Sequence, residues 1–125
     1  MRQNKFRIWD KIYKSMFQVS DISWACDGSI VYINGYIAED VILMQSTGLS
    51  DRNGKEIFEG DIIRTLDCEG NTDIDEVFYN SVHCKFLIGN KYVSRLSVGL
   101  GEYSFINIEI ISNIYDSPEL LEVVK

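Results

Sequence analysis

The chain has little of what most enzyme active sites use. Its 125 residues include one histidine, His83, and no P-loop, G-x-G-x-x-G, Cys-x-x-Cys or H-E-x-x-H motif, which disfavours NTPases, dinucleotide enzymes and zinc sites. A histidine base would have to be His83, and no G-x-S-x-G elbow is present. On a strand, the neighbouring Cys84 would point to the opposite face, so we interpret the pair as a sheet residue beside an inert buried thiol. We expect no catalytic residue and no enzyme activity.

Long apolar runs and a disulfide framework are also missing. No window approaches ~18 consecutive apolar residues, and the opening residues MRQNKFRIWD contain no apolar segment of a secretory signal. The three cysteines are odd in number and widely spaced, which favours reduced thiols. We therefore expect a cytoplasmic protein that makes no membrane contact.

Positive charge is scarce, because 12 Lys and Arg stand against 19 Asp and Glu, for a net charge of −7. Affinity for phosphate comes largely from Lys and Arg, so the composition disfavours nucleic acid as a partner. The charge is uneven, since residues 1–14 have a net charge of +4 and the rest of the chain −11. Opposed patches favour head-to-tail contact between copies, so we predict a homo-oligomer or a protein partner. The residues predicted to take part are Arg2, Lys5, Arg7, Asp67, Glu69, Asp73, Asp75 and Glu76.

The segment from Asp67 to Glu76 contains five acidic residues and no Lys or Arg. Clustered oxygen ligands are what calcium or magnesium requires, so a cation site is one interpretation. The spacing matches no defined ligand set, and a solvated loop that contacts another protein explains the same residues. We therefore predict no bound metal and no cofactor.

Short runs of β-branched and aromatic residues alternate with turn residues along the whole chain. This pattern predicts a mainly β fold, a small partly open barrel with N-terminal β-hairpins, with an α+β fold as the alternative. The chain after Gly60 has SH3-like character. Ser117 as N-cap and Pro118 at the first helical position predict a short C-terminal helix. The length is typical of one domain, so we expect a single domain over residues 1–125.

The densest turn signals lie between Met44 and Ile63. Asn53-Gly54 is a strong hairpin signal, because both central residues of a type I′ turn need positive φ, and Asn followed by Gly tolerates this best. The sequence then predicts a tight corner at Gly60 and Asp61. The sequence of this segment therefore predicts a β-hairpin that leads into a tight corner.

Two alternatives assign chemistry to the same segment. A calcium loop that starts at Asp51 fails, because its twelfth residue is Ile62 and not Glu. The carboxylates of Glu59 and Asp61 would share one face of a strand, as acid–base chemistry in a small hydrolase requires. Turn chemistry explains the pair together with the glycine between them, and is the favoured interpretation.

Three segments carry a resemblance to a known family. TGLSDRNGKEIFEGDII at residues 47–63 resembles the signature of the YopX family of phage and prophage proteins of Gram-positive bacteria. KFRIWD at residues 5–10 and EIISNIYDSPELLE at residues 109–122 resemble the family's opening and ending, in the same order. Ser112 departs from the family pattern, which often has Gly there, and this puts a bend at that point in doubt. The resemblance implies no established catalytic or binding residue.

The resulting hypothesis is a phage or prophage accessory protein that acts in the host cytoplasm by protein–protein interaction or self-assembly. One alternative is a nucleic-acid-associated protein that uses the basic N-terminus and exposed aromatic residues. Another is a small hydrolase that uses Glu59 and Asp61. The segment from Arg64 to Asn107 matches no known pattern, so we expect any partner-specific chemistry there.

Overall fold

The computed structural model is mainly β, and a sheet curls into half of a barrel. This confirms the predicted mainly β, partly open barrel rather than the α+β alternative. Two compact units, Met1–Ser46 and Thr47–Lys125, divide the chain, and a single domain over residues 1–125 stays a prediction. In the part of the chain that is described, no helix is long and apolar enough to cross a membrane. The structure describes residues 5–66, 69–81, 84–89, 98–99 and 107–122.

The unit Met1–Ser46 is made of short antiparallel strands. These are β1 (Phe6–Asp10), β2 (Ser15–Gln18), β3 (Ile22–Trp24), β4 (Ile30–Ile33), β5 (Tyr36–Ile37) and the first part of β6 (Val41–Ser50), which follows a 3-10 helix at Ala38–Asp40. Strand β1 pairs with β2 on one side and with β6 on the other. Strands β3, β4 and β5 form a separate three-stranded sheet.

The core of this unit consists of Ile8, Ile33 and Val41. Ile8 is completely buried because it lies in the middle of β1, between two paired strands. Side chains alternate along a strand, so β4 directs Ile33 into the core and Tyr32 to the opposite face. Tyr32 is opposite Ile37 on β5, and both side chains are exposed. The outer face of the three-stranded sheet is therefore partly apolar.

The unit Thr47–Lys125 contains a hairpin and a five-stranded antiparallel sheet. Its strands after β6 are β7 (Glu56–Phe58), β8 (Asp61–Leu66), β9 (Thr72–Asn80), β10 (Lys85–Gly89), β11 (Val98–Gly99) and β12 (Asn107–Asn113). Within the sheet the order is β11-β10-β9-β8-β12, so β12 returns to lie beside β8. The core of the unit is formed by Ile57, Ile63, Val77 and Ile88.

The C-terminal helix is confirmed in position and is a 3-10 helix over Pro118–Glu122. Pro118 is its first residue, as predicted, and the Leu120 N–H donates to the Ser117 carbonyl oxygen at 3.1 Å. Leu121 is 2% exposed. A single turn has no stability alone, so the burial of Leu121 against the rest of the unit holds the helix.

The solvated acidic loop predicted over Asp67–Glu76 is wrong, because β9 begins at Thr72. Asp75 lies within this strand and is completely buried. Its position follows from strand periodicity, since Asp75 and Val77 share the face of β9 that points inward. Pairing of β9 with β8 on one side and β10 on the other overrides the preference of these acidic residues for a loop.

The buried thiol predicted at Cys84 is also wrong. Cys84 ends the loop between β9 and β10, where its side chain is exposed and its φ is 52°. Its Sγ donates to the Ser81 carbonyl oxygen at 3.4 Å. The sequence has no Gly or Asn at this left-handed position, so it predicts a strand there. His83 lies outside the described residues.

The two Asn-Gly pairs of the chain adopt different turns. Asn34 and Gly35 have φ angles of 51° and 83°, as a type I′ turn between β4 and β5 requires. The type I′ turn predicted at Asn53-Gly54 is wrong, because only Gly54 has a positive φ, of 81°. The Gly54 N–H donates to the Asp51 carbonyl oxygen at 3.0 Å. This is a type I turn followed by a left-handed glycine, the usual three-residue hairpin loop.

Asn34 also uses its side chain to connect two loops. Its Oδ1 accepts a hydrogen bond from the Ser20 N–H at 2.7 Å, and its Nδ2 donates to the Gln18 carbonyl oxygen at 2.8 Å. The turn between β4 and β5 is thereby fixed to the connection between β2 and β3.

We expect Asn34→Ala to lower the free energy of unfolding by about 1–3 kcal/mol, because it removes these hydrogen bonds and forces alanine into a left-handed conformation. Asn53→Ala is the matched control, since Asn53 has an ordinary φ and an exposed side chain, and its effect should stay within about 0.5 kcal/mol. Urea unfolding followed by circular dichroism measures both values. Equal losses in the two variants would contradict the assignment of the turns.

Candidate functional site

Asp51 organises the hairpin loop between β6 and β7. Its carboxylate is buried, with 8% of the residue exposed. Oδ1 accepts hydrogen bonds from the N–H groups of Asn53 and Lys55, both at 2.9 Å, and Oδ2 accepts one from the Ile110 N–H at 3.1 Å. Both carboxylate oxygens are thus used by the backbone.

The pKa of Asp51 reflects this environment. Burial raises it, but the N–H groups of Ile110, Lys55 and Asn53, together with the charge of Lys55, outweigh burial and hold the pKa below the ordinary value of 3.8. Asp51 is therefore ionised near neutral pH and acts as an acceptor for the backbone.

The same loop covers the outer edge of β12. The Arg52 N–H donates to the Ile108 carbonyl oxygen at 2.8 Å, two residues before the Ile110 N–H that Asp51 accepts. Open strand edges invite pairing with other chains, so this contact protects β12. The register of β12 shifts between Ile110 and Ser112, so an irregularity is present here although Ser112 replaces the glycine of the family pattern.

The corner at Gly60 and Asp61 is held by backbone and carboxylate hydrogen bonds. Gly60 has a φ of 85°; its N–H donates to the Val77 carbonyl oxygen and its carbonyl oxygen accepts from the Ile114 N–H, both at 2.8 Å. Oδ2 of Asp61 accepts a hydrogen bond from the Phe58 N–H at 2.8 Å, and Asp61 is 2% exposed. Asp61 thus takes the turn role that the sequence favours, and the neighbouring Glu59 is half-buried.

The acidic residues predicted to interact are dispersed between surface and core. Glu69 and Asp73 are exposed, Glu76 is half-buried and Asp75 is completely buried. Asp67 lies outside the described residues. Within the described ranges no three His, Cys, Asp or Glu side chains group closely enough to hold a metal ion.

The basic residues predicted to interact are also separated by burial. Lys5 is exposed, whereas Arg7 lies on β1 and is only 8% exposed. Arg2 lies outside the described residues. Two further exposed lysines, Lys11 and Lys14, lie in the loop between β1 and β2. In the described part of this unit, the exposed positive charge is therefore at Lys5, which was predicted, and at Lys11 and Lys14, which were not.

The loop between β1 and β2 presents two apolar side chains to solvent. Asp10 is 3% exposed, and its Oδ1 accepts hydrogen bonds from the N–H groups of Ile12 at 2.9 Å and Tyr13 at 3.1 Å. The Lys14 N–H donates to the Asp10 carbonyl oxygen at 2.9 Å. Held in this way, Ile12 is 74% exposed and Tyr13 is 79% exposed.

Two more aromatic rings adjoin this loop. The Tyr36 hydroxyl is hydrogen-bonded to the Asp10 carboxylate, and the Tyr36 ring stacks on Phe17 with the ring centroids 6.5 Å apart. Burial, then the charge and hydrogen bond of Asp10, and also Tyr13, raise the pKa of Tyr36 above its ordinary value. We name Tyr13, Phe17 and Tyr36, with the bordering lysines Lys11 and Lys14, the aromatic surface.

Sequence reasoning missed the aromatic surface, because it assigned the contacts to Arg2, Lys5 and Arg7. A signal was present in Lys11-Ile-Tyr-Lys14. These residues connect two strands through a four-residue loop, and a hairpin tip of that length leaves its large side chains in solvent.

An open cleft lies in the same unit, beside the start of β1 and the connection between β2 and β3. Its lining includes Lys5, Asp21 and Trp24. Trp24 is 61% exposed. The cleft adds a further exposed aromatic ring to the unit Met1–Ser46.

We expect Asp51→Asn to lower the free energy of unfolding by about 2–4 kcal/mol, because one of its acceptor oxygens becomes a donor that faces a backbone N–H. Asp27→Asn is the control at an exposed site, where Oδ1 of Asp27 accepts hydrogen bonds from the N–H and the hydroxyl group of Ser29. It should lose far less. Urea unfolding measures both, and a control loss as large as that of Asp51→Asn would contradict the role of burial.

The contribution of Asp51 should also depend on pH. Its pKa is lower in the folded protein, so its stabilisation is complete above the ordinary value of 3.8, which applies to the unfolded chain, and is lost as the pH falls through the lower folded value. We expect the difference between wild type and Asp51→Asn to be constant near neutral pH and to shrink below about pH 4. Asp27, whose pKa is lowered by its hydrogen bonds with Ser29, is present in both proteins and cancels. Urea unfolding at a series of pH values tests this, and a difference that widens in acid would contradict it.

Two solved structures have a fold similar to that of this chain. The chain is similar to protein EF1440 from Enterococcus faecalis, with 25% identity and a TM-score of 0.70 over 97% of this chain and 99% of that chain. It is also similar to YopX from Bacillus subtilis, with 22% identity and a TM-score of 0.64 over 97% of this chain and 98% of that one. No functionally curated protein matches. The family model described as "YopX protein" matches residues 5–122. The resemblance to the YopX family is thereby confirmed, and the chain belongs to that family.

Proposed function

We propose that this chain is a non-enzymatic accessory protein of a phage or prophage that acts in the host cytoplasm by protein–protein contact. The observation that carries the proposal is the concentration of exposed apolar side chains in the unit Met1–Ser46. Such exposure marks interaction sites when the side chains lie close together. The exposed side chains are Ile12, Tyr13, Phe17, Trp24, Val31, Tyr32 and Ile37.

The unit Thr47–Lys125 differs in both exposure and charge. In its described part the exposed large apolar side chains are Leu49 and Tyr79. Residues 1–46 contain five Lys and Arg and five Asp and Glu, whereas residues 47–125 contain seven and fourteen. A unit with several exposed aromatic rings shares one feature of protein-binding surfaces, which are rich in aromatic residues.

The aromatic surface is also held in one conformation before any partner arrives. The two hydrogen bonds from the loop to Asp10 fix the backbone that carries Tyr13. Tyrosine presents a large, rigid contact area, and a loop that is already ordered binds without a large loss of conformational entropy. These features support Tyr13 as an anchor for a partner.

A second candidate function is binding of single-stranded nucleic acid. The observation in its favour is the position of Tyr13 between Lys11 and Lys14, because aromatic rings that stack on bases work together with nearby positive charge. The net charge of −7 opposes it.

We also propose that the chain after Gly60 has SH3-like barrel character. The support is the run of three consecutive antiparallel strands, β8, β9 and β10, that follows the corner at Asp61. The loop at Asp51 then lies against the edge of β12 in the same sheet.

The test places the photoreactive residue p-benzoylphenylalanine at position 13 of the full chain in host cells. We expect irradiation to produce covalent adducts with protein, resolved by mass spectrometry. The matched control carries the same residue at position 79, another exposed tyrosine in the unit Thr47–Lys125, and should give far fewer adducts. Equal yields at the two positions would contradict the proposal, and adducts with nucleic acid from position 13 would favour the second candidate.

A further inference from the structure

We propose that Asn53 is a site of spontaneous covalent modification, at which water converts the side-chain amide into a carboxylate. The chain has two Asn-Gly pairs, and their surroundings differ, because Asn53 is open to the reaction whereas Asn34 is protected from it. This modification does not depend on the proposed function, and it changes the loop that covers the edge of β12.

The reaction needs no enzyme, because the backbone nitrogen of the next residue is the nucleophile. The Gly54 nitrogen attacks the Asn53 Cγ, a new N–Cγ bond forms, and the bond from Cγ to Nδ2 breaks. The Gly54 nitrogen gives up its proton and the amide leaves as ammonia, so a succinimide ring remains. Water then opens the ring at Cγ to give aspartate, or at the backbone carbonyl carbon to give isoaspartate. Water is consumed and ammonia is released in equal amounts, with no oxidation or reduction.

The loop at Asn53 meets the requirements of this attack. Asparagine is thermolabile, and a following glycine favours the attack because no Cβ shields its nitrogen. Asn53 and Gly54 are both exposed, and apart from its chain neighbours the described chain has no atom within 4 Å of the place where a Gly54 Cβ would stand. Among the described residues, the hydrogen bond that Asn53 makes uses its backbone N–H, so its side-chain amide faces water. The Gly54 N–H donates to the Asp51 carbonyl oxygen at 3.0 Å, and local opening of an exposed loop releases such a bond.

The side chain of Asn34 is held away from the same reaction. Its Oδ1 accepts hydrogen bonds from the Ser20 N–H at 2.7 Å and the Ser20 hydroxyl at 3.0 Å. Its Nδ2 donates to the Gln18 carbonyl oxygen at 2.8 Å. These bonds must break before the Asn34 Cγ can turn toward the Gly35 nitrogen, so the free energy of losing them slows the reaction.

Isoaspartate at position 53 changes the path of the loop. Its backbone runs through the side chain, so one methylene group is added to the chain between residues 53 and 54. Oδ1 of Asp51 accepts the N–H groups on both sides of this insertion, those of Asn53 and Lys55, at 2.9 Å each. The inserted methylene moves one N–H group relative to the other, so we expect the isoaspartate form to unfold more easily than the unmodified chain.

The experiment incubates the folded full chain at mildly alkaline pH and follows each Asn-Gly pair by mass spectrometry of proteolytic peptides. Conversion of the amide to a carboxylate raises the peptide mass, and chromatography separates the aspartate and isoaspartate products. We expect Asn53 to react at least about tenfold faster than Asn34, because the Asn34 side chain must first lose its hydrogen bonds.

The matched control is the same chain unfolded in urea, where both pairs lose their folded surroundings. Their rates should then agree within about threefold. Equal rates in the folded chain, or a faster reaction at Asn34, would overturn the inference. A difference that persists undiminished in urea would also overturn it, because the flanking sequence and not the fold would then set the rates.

The effect on the loop is measured by urea unfolding of the isoaspartate form, after chromatography separates it from the aged chain. We expect its unfolding midpoint to be lower than that of the unmodified chain. Asn53→Gln, aged in the same way, is the control, because it keeps an exposed amide but would have to close a larger and less favourable ring. Its midpoint should not change with ageing, and an isoaspartate form as stable as the unmodified chain would overturn the proposed effect on the loop.

Discussion

Buried aspartates that accept backbone N–H groups are the interaction on which the rest of this structure depends. Asp10 holds the loop between β1 and β2, Asp51 holds the loop between β6 and β7, and Asp61 holds the corner before β8. Burying a carboxylate is costly unless its oxygens are hydrogen-bonded. Each of these side chains therefore permits one local backbone arrangement, and the strands that follow take their direction from it.

The strands and the positions of the turns could largely be predicted, because period-2 alternation and Asn-Gly pairs are local properties. The type of turn could not. Asn34-Gly35 and Asn53-Gly54 are the same dipeptide, yet only Asn34 has a positive φ. At the second pair, the Asp51 carboxylate accepts hydrogen bonds from N–H groups of its own loop and also from the Ile110 N–H, 59 residues away. A contact between residues so far apart along the chain produces no local pattern in the sequence.

Charge was the least reliable guide to the site, because a count of ionisable residues treats each of them as solvated. Strand position buries Asp75 on β9 and most of Arg7 on β1. The aromatic surface was hidden for a related reason. It exists because packing on the shared core of this unit brings Tyr36 beside Asp10 and Phe17, which come from a different hairpin. Only Lys11-Ile-Tyr-Lys14 was visible as a continuous segment.

The hydrogen bond between the Asp51 carboxylate and the Ile110 N–H affects the order in which the parts of the protein fold during synthesis. On the ribosome, the Asp51 loop can close on Asn53 and Lys55 at once, but Oδ2 must wait for residue 110 to emerge. In the unit Met1–Ser46 the corresponding links are short, since Asp10 reaches Tyr13 and Asn34 reaches Gln18, 16 residues back. The first unit can therefore complete these links early in synthesis, while the Asp51 loop makes its last hydrogen bond only when almost the whole chain has been translated.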